Sequence, residues 1–512
     1  MSLIILSSSY VSNEMRCEFG EVPPCMLPLG GKLLLEHQLE FLGERDNFLS
    51  LPSDYVLNNH ELKVISELKL NIIKVDGQLS LGMALQRVLE QIETLDRVTI
   101  LFGDTLVKFD TLQHSNVIGI SKGLGYYEWS VYDQSKATFS ANTYESHENS
   151  IFNGYLSFKS KEILTVSLAA SNFDFTSMLN YALETEKINL AESDLWLDFG
   201  HLNTYFESKR NFTTERAFNN LEYTNGFLYK SSENVSKLKS EALWFSNVPK
   251  DMRIYTPLVI SELDDDFYKI EYINSLSLSE IYLFCRVNSH LWKRIIGSCF
   301  DFLDLCKKYE YKADSYDWDV NRKTRSRWSN ISAATKNLLN PALESCNEAF
   351  DDILDSILYS SEEHEDNKSQ FMHGDLCFSN ILYDFRSNRI RVIDPRGCDY
   401  SGKSSIYGPA DYDVAKLAHS IIGRYDEIIA DRYDVGILKS EYRLVFNDQN
   451  RNSFIKTEFI LQLNRHGYSL KTIYKQMIGL FISMLPLHED SEVRQLALFV
   501  NALRLKKEMT DL

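Results

Sequence analysis

The period of the apolar positions divides the chain into three stretches. From residue 1 to about 205, short apolar runs alternate with amphipathic ones. Residues 3–6 (Leu-Ile-Ile-Leu) read as a first strand, 28–39 turn into a helix, 76–85 enter another, and 98–106 read as a buried strand carrying Asp104 at its end. Residues 152–158 and 194–201 continue the series. Alternating strands and helices predict a mostly parallel sheet with helices packed on it. In the second stretch, residues 217–223 and 227–232 flank Asn225-Gly226, a dipeptide suited to the positive φ angles of a tight hairpin turn. A helix pattern from about Ser236 and a strand pattern at 268–273 follow, with Pro249 between them. The 3.6-residue period then dominates over 276–309, 333–359 and 456–505, and predicts a large helix-rich lobe. The expected organisation is 1–208, an α/β domain; 209–274, a small lobe; and 275–512, a large lobe.

Composition narrows the class without naming it. The chain of 512 residues is 44% hydrophobic and 25% charged, as expected of globular domains with full cores. A net charge of −18 argues against nucleic acid and anionic membranes as partners, since both select basic surfaces. The eight cysteines show no Cys-x-x-Cys pair and no zinc-like spacing, which fits a reducing compartment. The amino terminus begins as a strand without a basic stretch, so no signal peptide is expected. The longest apolar run, around 477–487, is too short to span a bilayer. These features predict a cytoplasmic protein that binds small molecules and does not insert into membranes; they leave oligomerisation open, a homo-oligomer included.

The densest chemistry lies in Phe371-Met-His-Gly-Asp-Leu-Cys-Phe-Ser-Asn380 and Arg391-Val-Ile-Asp-Pro-Arg-Gly397. Asp375 precedes Asn380 by five residues, and Asp394 follows an apolar strand pattern. Phosphoryl transfer to a hydroxyl needs one carboxylate to orient the nucleophile and oxygen ligands to hold Mg²⁺ against the phosphates, and kinase catalytic loops use this spacing. Residues 381–383 and 390–393 read as strands around the turn-forming Arg386-Ser-Asn388, so a hairpin would bring Asn380 and Asp394 together. With His-Gly-Asp in place of His-Arg-Asp, the loop resembles the aminoglycoside phosphotransferase and choline kinase branch of the kinase fold. The resemblance implies a bilobal, protein-kinase-like α+β domain that uses ATP and Mg²⁺, with Asp375 and His373 catalytic and Asn380 and Asp394 on the metal.

A kinase small lobe should offer a strand lysine for the phosphates and a helix glutamate to fix it. Lys230 and Glu241 stand at those places, with Lys237 and Lys239 as rivals for the lysine. The 268–273 strand resembles the one leading into a kinase hinge, where backbone groups from Glu271 to Ile273 would meet an adenine edge. No Gly-x-Gly-x-x-Gly loop and no Ala-Pro-Glu segment occur, which points to small acceptors such as a sugar, polyol or amino alcohol. Gly408-Pro-Ala-Asp-Tyr-Asp-Val-Ala-Lys-Leu-Ala resembles the Asp-x-Ala-x-Leu segment of these kinases, implying that Asp413 buttresses the catalytic loop, with Asp411 expected as helix cap. Arg396 is expected either to clamp an acceptor phosphate or carboxylate or to form a structural ion pair.

The first half resembles the sugar-1-phosphate nucleotidyltransferases, a Rossmann-like (GT-A-like) fold. The matching positions are Lys32 in the Pro28-Leu-Gly-Gly-Lys turn, Gln78 with Gly82, Asp104 after Phe-Gly, Asn153 with Gly154, and Asp198 in Trp196-Leu-Asp-Phe-Gly. The resemblance implies that Asp104 and Asp198 hold Mg²⁺ while the others serve a sugar phosphate and a second nucleoside triphosphate. Two departures stand out. Residues 7–16, where the family has a glycine-rich phosphate loop, contain no glycine, and Pro23-Pro24-Cys25 lacks the family's lysine, leaving Arg16 as its substitute. The chain is therefore expected to be a small-molecule kinase fused to a nucleotidyltransferase-like domain, as in surface polysaccharide synthesis. The alternatives are a main activity of nucleotidyl transfer or a non-catalytic nucleotide-sugar scaffold.

Overall fold

The computed structural model describes residues 2–42, 46–93, 97–110, 116–123, 127, 129–141, 150–212, 219–264, 267–311, 318–347, 349–357, 369–438, 441–447 and 450–512. The chain forms two compact units, Met1–Thr213 with Phe284–Arg286, and Thr214–Leu283 with Val287–Leu512. No helix among the described residues is long and apolar enough to cross a membrane. All eight cysteines are free thiols.

The first unit is organised around a nine-stranded sheet. Its centre is four parallel strands in the order Asn71–Val75, Asp46–Pro52, Ser2–Leu6 and Val98–Phe102. Ser2–Leu6 is buried along its whole length, as a strand covered on both faces must be. The chain winds outward from Ser2–Leu6 in one direction and then crosses to Val98–Phe102 on the other side. The carboxyl ends of these two strands therefore flank a topological switch point, where α/β sheets open a crevice. Helices Leu81–Glu90, Lys161–Ala170 and Phe175–Thr185 pack Leu85, Val88, Leu164, Leu168, Met178 and Leu179 into one core cluster with the sheet. The antiparallel strand Ser150–Phe158 pairs with Val98–Phe102, and its register against Asn116–Lys122 shifts between Phe152 and Leu156. A separate ribbon pairs Thr105–Lys108 with Leu195–Asp198 and sets Asp198 opposite Thr105.

The second unit has two lobes. The small lobe is a four-stranded antiparallel sheet in the order Asn219–Thr224, Phe227–Ser232, Phe267–Glu271 and Val259–Asp264, with helix Val235–Ser246 packed on it. Asn225 (φ 51°) and Gly226 (φ 85°) make the expected hairpin turn. Residues 217 and 218 of the expected first strand lie outside the described residues.

The large lobe is helical but more interrupted than its periodicity suggests. The 276–309 pattern divides into a short strand, Leu276–Ser277, and helices Leu278–Leu283 and Ser289–Lys307, the last capped where the Asn288 side chain accepts the Leu291 N–H. The 333–359 pattern breaks at Asn347, whose left-handed conformation (φ 54°) ends helix Ala333–Cys346 before Phe350–Ser356; residues 348, 358 and 359 lie outside the described ones. The 456–505 pattern becomes three helices, Asn450–Arg465, Leu470–Met484 and Glu492–Thr510. Helix Val320–Asn330 carries no apolar stripe and so gives no periodic signal in the sequence. It docks because Gly479 lets the backbones approach: a Cβ there would stand 2.7 Å from Val320, and the Thr324 hydroxyl donates to the Gly479 carbonyl at 3.2 Å. Asp411 lies in the first turn of helix Ala410–Ile421, not at its cap, which is Pro409; its carboxylate accepts from Gln476 instead.

Candidate active site

In the second unit, strand Ser369–Phe371 delivers the chain to a tight loop at His373 and Gly374 (φ 78°). The Asp413 carboxylate, wholly buried, accepts the N–H groups of His373 at 2.6 Å and Gly374 at 2.8 Å. One residue thus satisfies two backbone donors that the turn would otherwise leave unpaired, an omission that costs roughly 1–3 kcal/mol per group. Burial pushes Asp413 up to about 7, although both amides favour its charged form. The His373 Nε2 faces the Ile393 carbonyl at 2.9 Å, and its Nδ1 faces the Asp375 N–H at 3.3 Å. That pair of contacts selects the Nε2–H tautomer, and burial pushes the ring down to about 4, so it is neutral. His373 is therefore a brace between the two loops rather than a titrating acid at neutral pH.

Asp375 is held on both oxygens. The Asn380 side-chain amide donates to its Oδ2 at 3.2 Å and to its carbonyl at 3.0 Å, while Lys416 Nζ lies 2.7 Å from Oδ1. Burial opposes its charge, but Lys416, His373 and Arg396 outweigh this and hold the carboxyl below its usual range. Lys416 was not anticipated from the sequence; the available signal was its place three residues after Asp413, one turn along the same helix. The hairpin Ile381–Asp384 with Arg389–Val392 forms as expected, Asn388 taking a positive φ in its turn. It joins Asn380 to the Asp394 loop through the Ile393 N–H, 3.0 Å from the Asn380 carbonyl.

Asp394 itself is left-handed (φ 54°), a conformation that costs a non-glycine residue energy and recurs at functional sites. Its Oδ1 lies 2.9 Å from Lys230 Nζ, which also meets Glu241 Oε2 at 2.6 Å. Tyr268 adds a hydroxyl to Glu241 at 3.0 Å. Burial opposes the Lys230 charge, yet Asp394 and Glu241 raise it above its ordinary range. Lys237 is exposed and 3.8 Å from Glu241, and Lys239 is exposed, so the buried lysine of this site is Lys230. Helix Val235–Ser246 is locked to the loops at two further points. Trp244 donates to the Met372 carbonyl at 2.6 Å, and Gly397 (φ 66°) lies where a Cβ would be 2.2 Å from the Ser240 carbonyl.

At this site the expectation for the Glu271 N–H needs correction, and of the two alternatives for Arg396 the ion pair is not formed. Glu271 does not present its backbone N–H to a ligand, because that group bonds the Leu258 carbonyl; its carboxylate accepts from the Leu258 N–H and lies 2.9 Å from Arg391. Ile273, just beyond, accepts the Ser275 N–H at 2.9 Å. Arg396 forms no ion pair among the described residues. Its Nε donates to the Cys398 carbonyl at 2.9 Å, and its guanidinium lies over the rings of Tyr400 and Trp318.

In the first unit, Asp104 and Asp198 come together beside Gly200. A Cβ built on Gly200 would stand 2.8 Å from an Asp104 oxygen and 3.4 Å from one of Asp198. Asp198 also accepts from Thr204 and faces His201 Nδ1 at 3.2 Å, and His201 stacks on Tyr127 with ring centroids 3.8 Å apart. Burial and the neighbouring Asp198 push Asp104 up to about 6. The remaining positions separate. Asn153 is buried, its amide donating to the Ile120 carbonyl and Ser121 and its oxygen accepting the Tyr155 N–H, so it stabilises the irregularity in its own strand. Gly154 (φ 86°) allows close approach to Thr105, while Gly82 allows helix Leu81–Glu90 to meet the Phe173 carbonyl, a packing role. Lys32 and Gln78 are exposed, and no hydrogen bond or ion pair among the described residues links them to the aspartates. Arg16 donates to the Val11 carbonyl and pairs with Glu21. At the start of the glycine-free loop, the Ser7 N–H is engaged by Ser50 at 3.0 Å, and the Val11 N–H by Val22.

Among the described residues no cluster of three or more His, Cys, Asp or Glu side chains is arranged to hold a metal. The pairs Asp394 with Asn380, and Asp104 with Asp198, are nonetheless all-oxygen donor sets. Mg²⁺ characteristically takes one or two such protein ligands and completes its shell with phosphate and water.

No family model matches the sequence, and no curated protein matches it. Among solved structures, 41% of the chain is similar to the whole of a nucleoside-diphosphate-sugar pyrophosphorylase from Vibrio cholerae RC9, at 13% identity and a TM-score of 0.34. An inositol-1-phosphate CTP transferase from T. maritima matches 42% of the chain over 97% of its own length, at 16% identity and a TM-score of 0.34. A choline/ethanolamine kinase family protein from Mesorhizobium loti matches 58% over 88% of its length, at 10% identity and a TM-score of 0.33. Part of the chain is similar to nucleotidyltransferases and another part to a protein of the choline/ethanolamine kinase family.

Proposed function

We propose that the second unit is an ATP- and Mg²⁺-dependent kinase that phosphorylates a hydroxyl of a small metabolite, a sugar, polyol or amino alcohol. The observation that carries this reading is the ion-pair chain Glu241–Lys230–Asp394, its first two members buried, which the Ile393 N–H joins to the Asn380–Asp375 pair. Lys230 is held to meet the α and β phosphates. Asp394 and Asn380 supply the oxygens for Mg²⁺, which when bound neutralises charge on the phosphates. Asp375 orients the acceptor hydroxyl and takes its proton as the new oxygen–phosphorus bond forms and ADP leaves with the electrons of the broken one. Lys416 keeps Asp375 ionised, and Asp413 keeps the loop in shape. The site residues Asp375, Asn380, Asp394, Lys230 and Glu241 belong to this proposal as a set. The test is to incubate the full chain with ATP, Mg²⁺ and a panel of small hydroxylated compounds and look for a mass gain of one phosphate. That gain should vanish in Asp375→Asn while ATP binding persists; turnover surviving in the variant would sink the assignment.

A second reading concerns the first unit, and the juxtaposition of Asp104 and Asp198 favours it. Two carboxylates at a switch-point crevice suit Mg²⁺-assisted attack of a sugar phosphate on a nucleoside triphosphate. The chain would then phosphorylate a metabolite with one unit and activate it with the other, as in making precursors of surface polysaccharide. The engaged Ser7 and Val11 amides weigh against triphosphate binding. Isotope exchange between pyrophosphate and each nucleoside triphosphate decides the matter, and no exchange with any of them removes this reading.

A further inference from the structure

Beside Asp375 the second unit gathers four cations that the phosphate-handling residues do not account for. Lys416 meets Asp375 directly at 2.7 Å. Arg396 packs against Gly374, the residue before Asp375, so closely that a Cβ on Gly374 would lie 2.8 Å from the arginine's own. Its guanidinium lies 5.0 Å from the centre of the Tyr400 ring and 5.9 Å from that of Trp318. Lys323 Nζ lies 4.1 Å from the centre of the same Tyr400 ring. Arg327 follows Lys323 by four residues on helix Val320–Asn330, hence on the same face, and donates to the Ser483 carbonyl.

Among the described residues, none of Lys323, Arg327 and Arg396 has a carboxylate within ion-pair distance; their partners are aromatic rings and carbonyls. Burial, then Arg396, Lys416 and Arg327, bring Lys323 well below the ordinary lysine range, and Asp375 is the acid that works against them. Like charges held this close in a half-buried place repel one another unless a counter-charge arrives. The Tyr412 hydroxyl, buried without a hydrogen-bond partner among the described residues, belongs to the same group, its ring packed on Trp318 and Tyr400.

We propose that the acceptor of this kinase is an anion, a small hydroxylated metabolite whose phosphate or carboxylate sits among Lys323, Arg327 and Arg396 while its hydroxyl meets Asp375. The inference rests on the kinase reading of the site and narrows its acceptor class: a simple amino alcohol or an aminoglycoside would bring a cation to a cationic surface. Aromatic walls at Trp318 and Tyr400 suit the apolar face of a sugar ring standing between the anionic group and the reacting hydroxyl.

Titration calorimetry on the full chain loaded with MgADP tests this with inorganic phosphate, acetate and choline as probes at constant ionic strength. Phosphate or acetate should bind, and choline should not; which anion binds more tightly separates a phosphorylated acceptor from a carboxylated one. Lys323→Gln combined with Arg327→Gln should weaken anion binding at least tenfold, whereas the charge-conserving pair Lys323→Arg and Arg327→Lys should stay within about threefold. Preference for choline, no anion binding beyond chloride, or anion binding indifferent to the glutamine pair would each overturn the proposal. MgADP binding separates the two levels. If MgADP binds and no anion does, the anionic acceptor fails alone. If anions bind in the expected way but MgADP does not, the kinase reading fails and the anion site stands.

Discussion

Asp375 and Asp104 each follow a strand, and each has a second polar ligand beside it, yet their surroundings push them in opposite directions. Asp375 faces Lys416 and an amide donor, so it stays ionised despite burial. Asp104 faces Asp198, with His201 working against the repulsion, and its carboxyl rises to about 6. The first arrangement is a site with its charges already matched to hold a base. The second carries excess negative charge that a cation would relieve. A pair of aspartates near a strand end is therefore not a functional statement; the sign of the neighbours decides whether the group is poised to accept a proton or to hold a metal.

Removing Lys230 should give the largest effect in the molecule. Lys230→Ala leaves Glu241 and Asp394 without their buried cation, and breaking such a pair costs about 3–5 kcal/mol. Urea unfolding of the second unit, with phosphorylation assayed alongside, should show both lost stability and lost turnover. Asp375→Asn comes next and is cleaner. It should lower turnover on the order of 10³-fold, in keeping with loss of a general base, while ATP affinity holds and the melting temperature falls less than in Lys230→Ala, because Lys416 loses its carboxylate partner.

Acid should separate the two regions. The neutral, buried His373 has a folded value of about 4 against an ordinary 6.5. Its contribution is intact above pH 6.5 and declines as pH falls toward 4, by about 3 kcal/mol in all. Asp104 has the opposite sign. Its raised folded value contributes stability below its ordinary 3.8, and that contribution is lost as pH rises through about 6. Within the second unit Asp413, raised to about 7, has the sign of Asp104 and offsets His373, so hydrogen exchange read on peptides from each unit between pH 5 and pH 7 should show the first unit tightening toward acid and the second changing less. Parallel behaviour of the two would break the comparison. The smallest effect is expected from Asp104→Asn, which should stabilise the first unit by about 1–2 kcal/mol at pH 7.5 without divalent cation, since it removes the repulsion from Asp198. Added Mg²⁺ should close that gap by stabilising the unsubstituted chain.

Much of the kinase-like site was legible in the sequence because its parts are local. Asn225-Gly226 specifies its own turn, the five-residue spacing of Asp375 and Asn380 lies within one loop, and the hairpin to Asp394 is announced by alternating apolar residues and a polar turn. The first unit was less legible. Asn153 and Gly82 sit at motif positions, but the fold uses both for packing, and no pattern along the chain distinguishes a side chain turned into a sheet from one turned toward a crevice. The three interrupted helical stretches show the same limit, because a cap or a left-handed residue such as Asn347 ends a helix without disturbing the apolar period on either side.

What the sequence determined by itself is the set of elements and the reactive side chains within single loops, since turn chemistry and spacing act over a few residues. What only the tertiary structure decided is the charge around those side chains. Lys416 reaches Asp375 because Asp413, on the same helix, holds the loop amides, and Lys323 and Arg327 arrive on a helix with no apolar stripe that docks through Gly479. Electrostatic surroundings depend on distance in space, and no residue carries that distance in its neighbours along the chain.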